Sequence, residues 1–203
     1  GQQDLHLLTT GPHSIKMLKH NQGLLVFLRP FVLDFLDFLF KNFNVGFWTN
    51  ASRVLAVDYL DALLTNKQRK NINLFIARDH NKNNYYDYIT KKHFKLHSQG
   101  KNVKKLSYLF NHNFYKHRFN HKNTILIDDN SYHYAANNGK NIIFINEFHK
   151  SRHSDNTLPK IMKVLSAYKR KKNMVVSKTK LPNYTTINTK FNSFFPDFSS
   201  YSK

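Results

Sequence analysis

Thr124-Ile125-Leu126-Ile127-Asp128-Asp129-Asn130-Ser131-Tyr132 is the stretch on which the reading of this chain turns. Apolar and β-branched residues run straight into two carboxylates and then into turn-forming residues. A second strand-like run, Asn141-Ile142-Ile143-Phe144-Ile145, follows about ten residues later. Strand ends in an open α/β sheet face the crevice where ligands bind.

Working outward, the same strand-and-helix alternation continues. Residues 23–28 read as a strand closed by Arg29-Pro30, and Leu5-His6-Leu7-Leu8 is a short apolar run before it. Residues 31–42 place Phe31, Phe35, Phe38 and Leu39 at helical spacing, with Asp34, Asp37 and Lys41 on the other face. Val45-Gly46-Phe47-Trp48 reads as a buried strand, and Thr49, Asn50 and Ser52 all offer cap chemistry to a helix over 51–64. Residues 73–77 are a further strand, 78–102 a long polar stretch and 103–110 a short helix. Residues 157–172 form a basic amphipathic helix striped by Leu158, Ile161, Met162, Leu165 and Tyr168. The expected architecture is a single three-layer α/β domain over 1–168 with a mostly parallel sheet. It carries a basic insertion at about 65–122 and a basic extended tail over 169–203.

At 203 residues the chain is long enough to bury one substantial core. With 40% hydrophobic and 15% aromatic residues, wholesale disorder is excluded. There is no cysteine, which excludes disulfides, thiolate metal sites and cysteine nucleophiles. No run approaches the roughly 20 apolar residues that cross a bilayer. The first residue is Gly1, from which a processed or incomplete N-terminus is expected. His112, His117 and His121 lie close in sequence, but no carboxylate at suitable spacing completes a metal site, so none is expected there.

Lys and Arg number 32 against 12 Asp and Glu, a formal charge of +20, with Glu147 the only glutamate. Most of the excess falls in two places. Residues 62–127 hold 14 Lys and Arg against Asp79 and Asp87, and 169–203 hold eight against Asp197. A charge run is often only a solvated face. Interleaved Tyr, Phe and His instead favour RNA, whose phosphates pair with cations and whose bases stack on rings. The expected contacts are Lys67, Arg69, Lys70, Lys91, Lys92, Lys95, Lys101, Lys105, Lys116, Arg118, Lys122, Lys169, Arg170, Lys171 and Lys172.

Four segments then occur in a telling order: Leu28-Arg29-Pro30-Phe31 with Asp34-Phe35-Leu36, Asn44-Val45-Gly46-Phe47-Trp48-Thr49-Asn50, Val103-Lys104-Lys105-Leu106-Ser107, and the 124–132 stretch. Over about residues 23–168 this resembles the branch of the haloacid dehalogenase superfamily typified by RNA polymerase C-terminal-domain phosphatases and NLI-interacting-factor proteins. The resemblance implies a haloacid-dehalogenase-like fold and site roles. Thr49 would contact a phosphoryl group, Lys104 would balance its charge with Lys105 beside it, and Asp128 and Asp129 would bind Mg²⁺. Taken singly, Thr49 reads as a helix cap, Lys104 as a surface lysine and Asp128-Asp129 as turn chemistry.

The family's D-x-D-x-[TV] nucleophile motif would fall within residues 1–14. There the positions become Leu8, Thr10 and Pro12, or Asp4 with His6 in place of the second Asp. Neither supplies the carboxylate pair that the covalent route needs. The expectation is therefore a degenerate, non-catalytic member with vestigial Thr49, Lys104, Asp128 and Asp129 and at most residual Mg²⁺ at Asp128. Its setting would be structural and RNA-binding within a large ribonucleoprotein, with rRNA and ribosomal proteins as partners and the mitochondrial ribosome as the preferred case. The alternatives are an active Mg²⁺-dependent phosphatase for phosphoserine or phosphothreonine, or a non-catalytic peptide-binding module.

Overall fold

The structure is a computed structural model, and it describes residues 7–8, 17–19, 25–79, 84–98, 101–149 and 155–172. In chain order the strands are β1 (Leu7–Leu8), β2 (Met17–Lys19), β3 (Leu25–Phe27), β4 (Val45–Ser52), β5 (Ile72–Asp79), β6 (Asn84–Asp87), β7 (Lys92–Phe94), β8 (His97–Ser98), β9 (Lys101–Asn102), β10 (Leu126–Asp128) and β11 (Ile142–Phe144). The helices are α1 (Val32–Asn42), α2 (Arg53–Leu63), α3 (Asn66–Lys70), α4 (Ser107–Asn111), α5 (Ser131–Ala136) and α6 (Thr157–Lys172). The tail beyond 172 and the candidate nucleophile positions Asp4, His6, Thr10 and Pro12 lie outside the described residues. Leu8 is described only as part of β1.

The expected elements are present, and the α/β class holds. Two pairs of strands are parallel, β4 with β5 and β10 with β11. In place of one mostly parallel sheet the described strands form four sheets, β1–β2–β3, β4–β5–β6–β7, β8–β9 and β10–β11, and antiparallel pairing enters the first two as follows. The 23–28 run became β3, which pairs antiparallel with β2 in a small separate sheet. The polar stretch after β5 folds back as β6 and β7, extending the β4–β5 pair antiparallel. A two-strand turnaround needs few residues, whereas a parallel return needs a crossover.

β5 is covered on both faces. Ile72, Phe75 and Ala77 pack with Leu36 of α1 and Ala56, Val57 and Leu60 of α2. Leu74 and Ile76 pack on the opposite face with Tyr85, Leu106, Leu109, Tyr115 and Phe119. Ile72 shares the parity of Leu74 yet faces the other way. The register explains it: Val45 pairs with Ile72 and Gly46 with Leu74, so Asn73 is an extra residue that flips the strand. At that point the strands come close, and a Cβ on Gly46 would lie 2.7 Å from the Leu74 Cβ.

The basic insertion is therefore partly core. Within it Tyr85, Asp87 and Tyr115 are fully buried. The Asp87 carboxylate accepts from the Tyr115 hydroxyl at 2.9 Å, the Ile89 amide at 2.9 Å, the Thr90 amide at 3.2 Å and the Tyr108 hydroxyl at 3.4 Å. Burial, then the Asp87 charge, pushes both phenols above their ordinary value, so they stay donors. A solvated reading of the segment fails because its Tyr and Phe side chains are the covering layer for β5.

A third cluster joins α1 to α6 through Phe35, Leu158, Ile161 and Leu165, against Ile125, Ile127 and Ile143. Three residues of the stripe read from sequence, Leu158, Ile161 and Leu165, are the buried ones. The start of α6 is pinned by Arg29. Its Nε and Nη2 donate to Asp155 Oδ2 at 3.0 and 2.9 Å, and Nη2 also donates to the Thr157 hydroxyl at 3.1 Å. Burial alone would raise the Asp155 carboxyl. The Arg29 and Thr157 hydrogen bonds and the Arg29 charge outweigh that and hold it below 3.8.

Two outcomes follow. Gly46→Ala should destabilise the fold by about 1–3 kcal/mol, because the clash is with a Cβ rather than a movable side-chain end; a urea midpoint equal to that of the unsubstituted chain would contradict the close approach. The depressed Asp155 carboxyl contributes stability above its unfolded value and loses it as pH falls through the folded one. The gap in urea midpoint between the unsubstituted chain and Asp155→Asn should thus be full at pH 7 and close below about pH 4, and a gap that does not change with pH would count against the pair.

Candidate functional site

The site forms where the parallel strands end. β10 stops at Asp128, and Asn130 caps α5 by accepting the Tyr132 amide at 2.9 Å. Asn130 also donates its own amide to Asp128 Oδ1 at 2.9 Å, which fixes the carboxylate rotamer. Asp128 Oδ2 accepts from Lys104 Nζ at 2.6 Å. The two side chains are only 5% and 13% exposed, so this is an enclosed ion pair rather than a surface one.

The structure thus brings together two residues that sequence spacing sets far apart. Lys104 is not one more surface lysine. Asp128 is not only turn chemistry, because both of its oxygens are engaged. Asp129 stands next to it and is exposed, at the free end of the strand. Thr49 lies in β4, whose strand runs on to Ser52. Its hydroxyl accepts the Ala51 amide at 3.0 Å, and the cap of α2 is Ser52, which accepts the Leu55 amide. The capping explanation for Thr49 is therefore removed.

The neighbour of Thr49 ties β4 to the Asp128 end. Asn50 lies 3.4 Å from His133 Nε2, and Asn50 Oδ1 accepts the Tyr85 hydroxyl at 2.5 Å. His133 is buried in α5, with Nε2 4.0 Å from Asp128 Oδ1. Burial lowers the imidazole pKa. Asp128 and Asp129 pull it up and Lys104 pushes it down, and the net shift is downward. The neutral ring is the favoured form. Asn50, Tyr85, His133 and Asn137 were not read as site residues from sequence. The only signal available was polarity at apolar-facing positions of short elements.

In donor chemistry the pair Asp128-Asp129 fits Mg²⁺. That ion takes one or two carboxylates and fills its shell with water and phosphate oxygen. Among the described residues no group of three or more His, Asp or Glu converges to make a fuller cage.

The cations expected to meet RNA sit on separate elements: Lys67, Arg69 and Lys70 on α3, Lys91, Lys92 and Lys95 on or beside β7, Lys105 next to Lys104, Lys116, Arg118 and Lys122 in the turns after α4, and Lys169 on α6. Several are committed locally. Arg69 pairs with Asp61 at 2.5 Å and with Asn66, Arg118 lies over the Phe114 ring at 4.7 Å, and Lys169 donates to Asn42 at 2.9 Å. Lys67, Lys70, Lys92, Lys95, Lys105 and Lys122 are exposed. Nothing is described for the side chains of Lys101, Arg170, Lys171 and Lys172. No helix among the described residues is long and apolar enough to cross a membrane.

Comparison with known proteins gives the chain relatives and a family. The chain is 36% identical over 75 residues to the CTD phosphatase-like protein 355R of invertebrate iridescent virus 3, covering 34% of this chain and 37% of that protein. It is 31% identical over 102 residues to the counterpart in invertebrate iridescent virus 6, covering 50% of each. The match thus spans half or less of the curated relatives' length. No solved structure matches. Neither the family nor these relatives carry an RNA-binding or ribosomal description. The sequence model for NLI interacting factor-like phosphatases matches residues 4–175, and the chain belongs to that family.

Proposed function

We propose that this domain acts on phosphorylated protein segments, holding a phosphoseryl or phosphothreonyl group at the end of β10 in a magnesium-dependent, phosphatase-type site. The observation that carries the reading is Lys104 Nζ, held 2.6 Å from Asp128 Oδ2 in an enclosed position. A mostly enclosed ammonium with one carboxylate partner still has two N–H donors, which suit phosphoryl oxygens. Thr49 offers a hydroxyl from β4. Asp129, with Asp128 beside it, would hold Mg²⁺, which supplies charge neutralisation at the phosphoryl oxygens.

Phosphoryl transfer depends mainly on placing charge where it develops, so Lys104 is the residue to remove. Lys104→Met should lower kcat/KM on a phosphoserine peptide by about 100-fold or more, and should also weaken inorganic phosphate binding in Mg²⁺. Equal turnover by the variant would overturn the assignment of Lys104. Phosphate binding without any turnover in the unsubstituted chain would instead establish the non-catalytic peptide-binding form, as the Asp4–His6 reading of the N-terminal segment anticipates. Failure to bind phosphate at all would remove the proposal. The RNA reading rests on net charge and interleaved aromatics, while the Lys104–Asp128 pair favours the phosphoryl one.

A further inference from the structure

Lys104 lies in the irregular segment between β9 and α4. Four rotatable bonds separate its main chain from Nζ, so a precise position for the ammonium requires a fixed backbone. α5 supplies that fixity. His133 Nδ1 accepts the Lys104 amide at 3.3 Å. One turn later, Asn137 at the end of α5 donates Nδ2 to the Lys104 carbonyl at 2.8 Å and to the His133 carbonyl at 2.7 Å. Asn137 Oδ1 accepts the Leu106 amide at 2.9 Å. Residues four apart share a helix face. Two side chains of one short helix thus grip both backbone polar groups of one lysine and the amide two residues on.

The ring of His133 is 2% exposed. With Nδ1 accepting, the neutral ring carries its proton on Nε2, 4.0 Å from Asp128 Oδ1, and Asn50 Nδ2 stands 3.4 Å from that nitrogen as a neighbour rather than a hydrogen-bond partner, since both are donors. Asn50 follows Thr49 directly. A single imidazole therefore accepts the Lys104 amide on one side and lies in contact with Asn50, near the end of β4, on the other. Packing alone does not require this, since a phenyl ring would fill similar space without accepting the Lys104 amide.

We propose that His133 and Asn137 are positioning residues for the phosphoryl site: they hold the Lys104 main chain so that Nζ reaches both Asp128 and an incoming phosphoryl oxygen. This rests on the phosphoryl reading above. Misplacing a catalytic group by about an ångström can cost on the order of 100-fold, so the grip acts on affinity and rate rather than on folding alone.

The test is calorimetric titration of the full chain with inorganic phosphate in Mg²⁺, at a temperature where circular dichroism shows each variant folded. His133→Phe should weaken phosphate about tenfold or more, as removal of supporting shells commonly does. His133→Asn places an amide oxygen near the Nδ1 position and should recover affinity to within about threefold. Lys104→Met should weaken binding, and adding His133→Phe to it should cause little further loss, because both act through one group. If His133→Phe does not fold, Asn137→Leu is read in the same way. A His133→Phe chain with unchanged phosphate affinity, beside a weakened Lys104→Met chain, overturns the positioning role and leaves the site standing. So does equal weakening by His133→Asn and His133→Phe. A wild-type chain that binds no phosphate overturns the site and the positioning role together.

Discussion

An ammonium group taken out of water needs a carboxylate, and among the described residues Lys104 meets that need with Asp128 at 2.6 Å. Much of the site follows from it. β10 must end where Asp128 can face the lysine. The chain after β9 must bring Lys104 back across the sheet end. α5 must begin at once, so that Asn130 fixes the carboxylate while His133 and Asn137 fix the lysine backbone. The pair then leaves Asp129 exposed and Lys104 with donors to spare.

The same economy explains why so few acidic residues serve so basic a chain. Among the described residues three carboxylates are buried, and each answers a different structural demand. Asp128 anchors the site. Asp87 collects two tyrosine hydroxyls and two amides and so seals the layer over β5. Asp155 receives Arg29 and ties the start of α6 to the segment that enters α1. Buried carboxylates are costly unless hydrogen-bonded, and all three are. Most lysines among the described residues are exposed, where charge is cheap.

That arrangement changes the meaning of the basic insertion. A polar stretch rich in Lys, His and Asn reads as solvated, yet its aromatic residues are laid against β5 with Trp48, Tyr85, Phe94 and Tyr108 in ring contact. The family match across residues 4–175 runs through this segment.

The periodicities of α1, α2 and α6, the apolar runs of β4, β5, β10 and β11, and the ordered quartet ending in Asp128-Asp129 were legible in the residues themselves. Hydrophobic spacing and strand composition are local properties, and a family pattern is a linear one. Thr49, Lys104, Asp128 and Asp129 could be named that way. What linear reading could not supply was which of them meet. Nor could it show that Asn73 flips β5, that the insertion folds back antiparallel, or that His133 and Asn137 grip Lys104. Those depend on contacts between residues about 30 apart in sequence, where a polar side chain on a six-residue helix looks like any surface residue. The sequence by itself determined the fold class and the chemistry available at the strand ends. The tertiary structure alone decided which charges are buried and therefore paired, because burial is a property of the packed chain and not of any residue in it.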